Sequence, residues 1–268
     1  MRDMKEKLLN IARFFYLFRT DVNSMMKYFS LKGKDKYAFF QKYYYNRHAE
    51  KTNYTQETKK DDGVVGTYEQ HNYWPDYDIY LMKNIDDSYK DKIALDFACG
   101  PGRNIVQYHK KFKRIDGVDI SETLIERAKE NLQYHKIELP NLYSNNGFDL
   151  AMIKDNTYDF ILSTIAMQHI CVHEIRYNLF NEMFRILKPN GRISFQMGYG
   201  KYSPYTVGYF ENNYLALNTN RGCDTRIEAP DQVQGDLEKI GFKNFTYDIR
   251  PTGPGDSHPA WIFFQATK

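Results

Sequence analysis

Cysteine is scarce in this chain of 268 residues: Cys99, Cys171 and Cys223 are the only three, they lie far apart, and none forms a Cys-x-x-Cys pair. That excludes a disulfide framework and a thiolate zinc site as organising devices, and no metal site is expected. Long apolar runs are also missing; none approaches the roughly 18–20 residues that span a bilayer. The amino-terminal segment is charged, and Arg13 interrupts its apolar positions, so it does not read as a secretory signal. These absences point to a cytoplasmic protein without a transmembrane segment. The length suits one sizeable domain with an elaboration. Net charge is only +3 overall but unevenly spread: residues 1–60 hold 14 Lys and Arg against 6 Asp and Glu, leaving a net −5 for the remainder. A basic end on a mildly acidic body suits an anionic partner or a solvated helical face.

What the chain does have is a strand that breaks into a glycine turn. Ile93, Ala94 and Leu95 form a short apolar run, Asp96 follows, and Gly100-Pro101-Gly102 leads into a helical pattern from Arg103. Glycines at such a turn let a ligand approach the backbone, and the open N–H groups of the new helix face that ligand. A dinucleotide fingerprint would place a third glycine where Ile105 stands. Asp96 would also repel a pyrophosphate, whereas it suits a ligand carrying an ammonium group. Further along, Ile115-Asp116-Gly117-Val118-Asp119-Ile120-Ser121 reads as a second strand ending in an acid, 16 residues beyond Arg103, near the interval at which an acid meets ribose hydroxyls. Asn145-Asn146-Gly147-Phe148-Asp149-Leu150, a fourth strand at Thr157–Ser163, and Leu187-Lys188-Pro189-Asn190-Gly191 turning into a fifth strand complete the series.

In order and spacing, residues 90 to 200 resemble the class I S-adenosylmethionine-dependent methyltransferases, of the bacterial small-molecule, type 11-like kind. The resemblance implies an α/β, doubly wound, Rossmann-like sheet of seven strands in the order 3-2-1-4-5-7-6, strand seven antiparallel. It also implies S-adenosyl-L-methionine as cofactor. Carried over residue by residue, Asp96, Ala98, Gly100, Gly102 and Arg103 would form the first cofactor loop, with Asp96 orienting the methionine ammonium side. Asp119 and Ile120 would hold the ribose, Asn146 with the Gly147 amide would read the adenine, and Thr164 would follow strand four. The family commonly shows an acid where Asn146 stands; an asparagine carbonyl can still accept a hydrogen bond.

His169 comes just after strand four, where several small-molecule members place a histidine to take the acceptor's proton. Imidazole titrates near neutrality and suits that task. Asp256 and His258, in the loop before the last strand, are rival bases. Residues 1–89 are expected as a helical, basic and aromatic cap, with an amphipathic helix over 3–19 whose apolar face covers the core or a second copy of the chain. The aromatic-basic stretch Tyr37–His48 reads as a packing face or small-molecule pocket; nucleic acid is disfavoured because no RNA-binding motif accompanies it. Residues 90–268 form the methyltransferase domain, with a tyrosine-rich insertion at about 199–231.

Candidate acceptor contacts are His71, Tyr73, Trp74, Tyr199, Tyr205 and His258, with Arg221 and Arg226 available for a phosphate. Tyrosine rings and hydroxyls suit a sugar- or nucleotide-like acceptor. The expected function is methylation of a small polar molecule, an O-methylation in surface-polysaccharide or sugar-nucleotide metabolism. A phosphate-linked or nitrogen acceptor, and a cofactor-binding accessory protein without turnover, are the alternatives. Amino-methylation of DNA is disfavoured, because Ser163-Thr-Ile-Ala stands where such enzymes carry Pro-Pro-aromatic.

Overall fold

The structure is a computed structural model and describes residues 15–16, 18–51, 77–201, 206–214, 224–253 and 258–268. Its centre is a run of parallel strands: β1 (Ile93–Phe97), β2 (Arg114–Asp119), β3 (Leu142–Ser144), β4 (Tyr158–Ser163) and β5 (Leu187–Tyr199). The chain closes with the hairpin of β8 (Lys243–Pro251) and β9 (Ala260–Thr267). Pairing gives the order β3-β2-β1-β4-β5-β9-β8, with β9 antiparallel to both neighbours. This is the expected 3-2-1-4-5-7-6 sheet.

The strands are short and apolar because helices cover both faces of the sheet, as a parallel sheet requires. Alternation along β1 sends Leu95 and Phe97 to one side, where Leu179, Phe180 and Met183 of α6 (His173–Ile186) and Val233 and Leu237 of α7 (Pro230–Ile240) join the core. Ala94 faces the other side. That core holds Tyr77 and Leu81 of α3 (Tyr77–Leu81), Ile105 and Val106 of α4 (Arg103–Tyr108), and Ile125 of α5 (Glu122–Tyr134). Ser121 caps α5 by accepting from the Leu124 amide at 3.1 Å, which satisfies one open donor of its first turn.

Two additions to this frame build the site. β5 pairs with β4 through Phe195, then continues past the end of β4 and pairs at Gly198 and Tyr199 with β7 (Asp224–Ile227), which in turn pairs with β6 (Thr206–Gly208). The insertion thereby extends the sheet beyond the carboxyl end of β4. The second addition is α2 (Gly33–Lys51), which packs with α1 (Val22–Ser30) around Phe18, Tyr28 and Phe40. Helix α2 is pinned at both ends. Tyr37 donates its hydroxyl hydrogen to the His169 carbonyl at 3.1 Å and accepts from the Cys171 amide at 2.8 Å. Asn46 Oδ1 accepts from Ser121 Oγ at 2.6 Å and from the Thr123 amide at 3.3 Å. The helix expected over residues 3–19 lies almost wholly outside the described residues. Among the described residues, no helix is long and apolar enough to cross a membrane.

Candidate active site

A cavity of about 550 Å³ opens where the strands end, between the loops after β1, β2, β3 and β4 below and helix α2 above. Open α/β sheets bind ligands at this edge. Its floor is the glycine turn. Gly100 adopts φ +51°, and a Cβ placed there would meet nothing within 4 Å, so the turn leaves open space for a ligand against the backbone. Ala98, Arg103, Asn104, Asp119, Ile120, Gly147, Thr164 and His169 also line the cavity. Eight of the expected site residues are therefore brought together: Ala98, Gly100, Arg103, Asp119, Ile120, Gly147, Thr164 and His169.

Two buried carboxylates order the turn. Asp119 accepts from the Gly100 amide and the Ser121 amide, both at 2.9 Å. Burial raises its pKa to about 6 against those hydrogen bonds. Asp96 is wholly buried behind the wall, and burial raises its pKa to about 7. Its Oδ1 accepts from Asn104 Nδ2 at 2.9 Å while Oδ2 has no hydrogen-bond partner among the described residues. Asn104 and Arg103 both donate to Thr164 Oγ1, at 3.2 and 3.3 Å, tying the β1 loop to the β4 loop. Asp96 thus acts on the cavity through Asn104 rather than by lining it. Gly102 also stays outside, capping α4 and packing on Ala128.

The adenine expectation needs correction. Asn146 does not line the cavity: its Oδ1 accepts from the amides of Phe148 and Asp149, and its Nδ2 donates to Asp149 at 2.7 Å. A side chain that closes its own turn in this way cannot also reach the ligand edge. Asn145, 5% exposed, faces the cavity instead and accepts the Gly147 amide at 3.2 Å, so that amide is also engaged.

Beyond β4 the wall is strained. Ile165 has φ +52°, a costly conformation for a β-branched residue, and its amide donates to Gln196 Oε1 at 2.6 Å. The turn Met167–His169 follows. His169 Nδ1 lies 2.6 Å from Asp224 Oδ1, and Asp224 Oδ2 lies 3.2 Å from His258 Nε2. Burial opposes charging of His169, but the charge and hydrogen bond of Asp224 outweigh it and raise the imidazole pKa. Burial works against ionised Asp224 as well, yet its two imidazole partners hold it well below the usual carboxylate range.

Asp224 was missed in the sequence because nothing local marks it; only the β5–β7 pairing carries it to His169. His258 is 2% exposed and does not line the cavity, so it is no acceptor contact or surface base. Tyr199 is half-buried at the end of β5 and also outside the lining. Arg226 is occupied by Thr206 and Glu228. His71, Tyr73, Trp74, Tyr205, Arg221 and Asp256 lie outside the described residues. In their place α2 supplies Tyr37, Gln41, Tyr45 and His48 as a roof. The aromatic and basic composition of Tyr37–His48 was the available signal for it.

Residues 95–195 match the family model described as a methyltransferase domain. A probable S-adenosylmethionine-dependent methyltransferase of Saccharomyces cerevisiae, CRG1, is 27% identical over 128 residues, which is 47% of this chain and 43% of the yeast protein. This chain therefore spans less than half the length of that relative. An S-adenosyl-L-methionine-dependent Diels-Alderase of Neonectria, iliD, is 25% identical over 214 residues, 74% of this chain and 80% of its own. Among solved structures, Haemonchus contortus phosphoethanolamine N-methyltransferase 2 with S-adenosyl-L-methionine superposes with TM-score 0.55 at 17% identity, covering 84% of this chain and 60% of that one. At that identity the likeness speaks for the fold. The match of residues 95–195 to a methyltransferase domain, with the sheet order and the motif series, supports reading this part of the chain as a methyltransferase domain similar to S-adenosylmethionine-dependent relatives.

Proposed function

We propose that this enzyme methylates a hydroxyl group of a small polar acceptor, with His169 as the base that takes the hydroxyl proton. The observation that carries the reading is the His169–Asp224 pair at the cavity wall, 2.6 Å apart. An acid on Nδ1 fixes the ring's tautomer and orientation and stabilises the imidazolium formed when Nε2 takes a proton. When bound, S-adenosylmethionine supplies an electrophilic methyl group on a sulfonium. The chain's residues fit such a ligand: the bare backbone at Gly100 leaves it room, Asp119 offers a carboxylate to ribose hydroxyls, and Asn104 presents a polar face ordered by the buried Asp96. Asn145 takes the place proposed earlier for Asn146 at the adenine edge.

Tyr37, Gln41, Tyr45 and His48 in the roof offer rings and hydrogen-bonding groups to an acceptor. That supports a sugar or other hydroxylated ring, and so an O-methylation in surface-polysaccharide or sugar-nucleotide metabolism, in a cytoplasmic enzyme. The insertion lends this narrower form less than the sequence suggested. Tyr209 donates to Asp236 and Tyr214 to Glu174, both in packing roles. The test is incubation of the protein and S-adenosylmethionine with hydroxyl-bearing, amine-bearing and phosphate-linked small molecules. S-adenosylhomocysteine and a product heavier by one methyl are then read by mass spectrometry. Methylation confined to amine-bearing acceptors would defeat the hydroxyl reading.

The Neonectria likeness favours a second reading, in which bound cofactor is retained while a cyclisation proceeds. Here a raised His169 pKa makes the ring a hydrogen-bond donor to a carbonyl, beside the apolar wall of Phe97, Ile165 and Ile170. Product formed without S-adenosylhomocysteine would select it.

A further inference from the structure

The carboxylate that orients His169 is itself shared. We infer that His258 is a positioning residue that sets the basicity of His169 through Asp224, the three side chains forming a His–Asp–His relay across three separate elements. This deepens the proposed role of His169 and rests on it.

The geometry is specific. Asp224 presents Oδ1 to His169 and Oδ2 to His258, so each imidazole occupies its own oxygen. His258 reaches this place because Gly198 on β5 has no side chain; a Cβ there would collide with the imidazole ring. The Trp261 ring lies against the other side, with ring centres 5.0 Å apart. The His258 carbonyl accepts from Thr252 Oγ1, which holds the backbone before β9. A buried imidazole fixed this firmly, with one nitrogen on a carboxylate, is built to donate a hydrogen bond to that carboxylate.

The consequence follows from charge sharing. A hydrogen bond from His258 stabilises ionised Asp224 and draws part of its negative potential away from His169. Removing that donor leaves Asp224 more dependent on His169, so the His169 pKa rises. Removing the carboxylate charge itself has the opposite sign, and the His169 pKa falls. Among the described residues, the other titratable or charged groups around the relay are Tyr37 and Tyr45 on α2, Cys171 before α6, Arg176 on α6, Asp119 at the end of β2, and Arg226, two residues beyond Asp224 on β7 and paired with Glu228. Burial keeps both tyrosines neutral through the neutral range.

The test is a proton-NMR titration of the histidine ring resonances of the full chain without ligand. His169 is identified as the resonance missing from His169→Gln. His258→Phe keeps a ring of similar volume in the space over Gly198 and removes the donor; His258→Gln restores an N–H near the position of Nε2. The expected result is a His169 midpoint raised by about 0.5–1 pH in His258→Phe, returned toward wild type in His258→Gln, and lowered by about 1–3 pH in Asp224→Asn. A folded His258→Phe protein with an unmoved His169 midpoint would overturn the relay. Equal shifts in the Phe and Gln variants would reduce His258 to packing. Should the Phe variant not fold, the same decision falls to His258→Asn, whose shorter amide cannot reach Asp224 and which must raise the midpoint. None of these readings needs turnover, so failure to methylate any acceptor would refute the proposed function and leave the relay decided on its own.

Discussion

Replacing Asp119 by alanine should weaken binding of S-adenosylhomocysteine by about 1–3 kcal/mol, the loss of charge-assisted hydrogen bonds to a buried carboxylate. That corresponds to roughly 5- to 150-fold in Kd. Two effects add in this variant. The carboxylate facing the cavity disappears, and the amides of Gly100 and Ser121, each held at 2.9 Å, lose their acceptor. The second effect loosens the glycine turn and lowers the melting temperature, so binding must be measured by calorimetry well below the transition. Asp119→Asn separates the two. It keeps an oxygen for one amide and the shape of the side chain, but not the charge, and should fall between wild type and alanine in both affinity and stability.

Proton linkage gives an independent check. Burial raises the Asp119 pKa to about 6, so acidification through that value neutralises the group and should weaken binding in wild type. In Asp119→Ala this acid-side loss should be absent. An alanine variant that folds, binds within twofold of wild type and keeps the same pH dependence would refute the assignment of Asp119 to the ribose.

Three further outcomes follow from the same geometry. His169→Ala should cut turnover by about 10²- to 10⁴-fold and leave S-adenosylhomocysteine affinity unchanged in calorimetry; full activity would move proton removal elsewhere. Asn145→Ala should weaken cofactor affinity more than Asn146→Ala, since only Asn145 lines the cavity; the reverse order would restore Asn146 to the adenine edge. Asp96 and Asp119 both have pKa values raised by burial, to about 7 and about 6. Their contribution therefore favours the folded state at low pH and is lost as pH rises through those values. In denaturant unfolding of ligand-free protein, Asp96→Asn should remove part of the stability lost as pH rises between about 4 and 7; an unchanged slope would contradict burial of an ionisable Asp96.

The parts legible in the sequence are those whose physics is local. The turn from Asp96 to Arg103, the acid ending β2 and the Leu187–Gly191 turn each carry their conformation in a few adjacent residues, and the order of the sheet came with the family resemblance those motifs carry. Sequence could not tell which of Asn145 and Asn146 lines the cavity, because the two are chemically identical. Which of them faces the ligand depends on which one closes the following turn. Asp224 was invisible for a different reason. It lies 55 positions from His169 in the chain, in a four-residue strand without an apolar pattern. The overhang of β5 past β4 on one side and β6 on the other give that strand its partners. His258 was recognised as chemically capable but placed on the wrong side of the wall, because the space left by Gly198 is a tertiary fact. The roof had a sequence signal in the aromatics of α2, yet its contact with the cavity depends on Tyr37 and Asn46 anchoring the helix at both ends.

The most direct measurement is the single-turnover rate of methyl transfer, across pH, for protein loaded with S-adenosylmethionine and an acceptor found in the screen, in wild type and in His169→Gln. Since His169 must be neutral to accept a proton and Asp224 raises its pKa, the wild-type rate should climb with pH through a midpoint above 6.5, the ordinary histidine value. His169→Gln should be slow and lack that climb. A wild-type profile reproduced unchanged by His169→Gln, or acceptor conversion without formation of S-adenosylhomocysteine, would contradict the account.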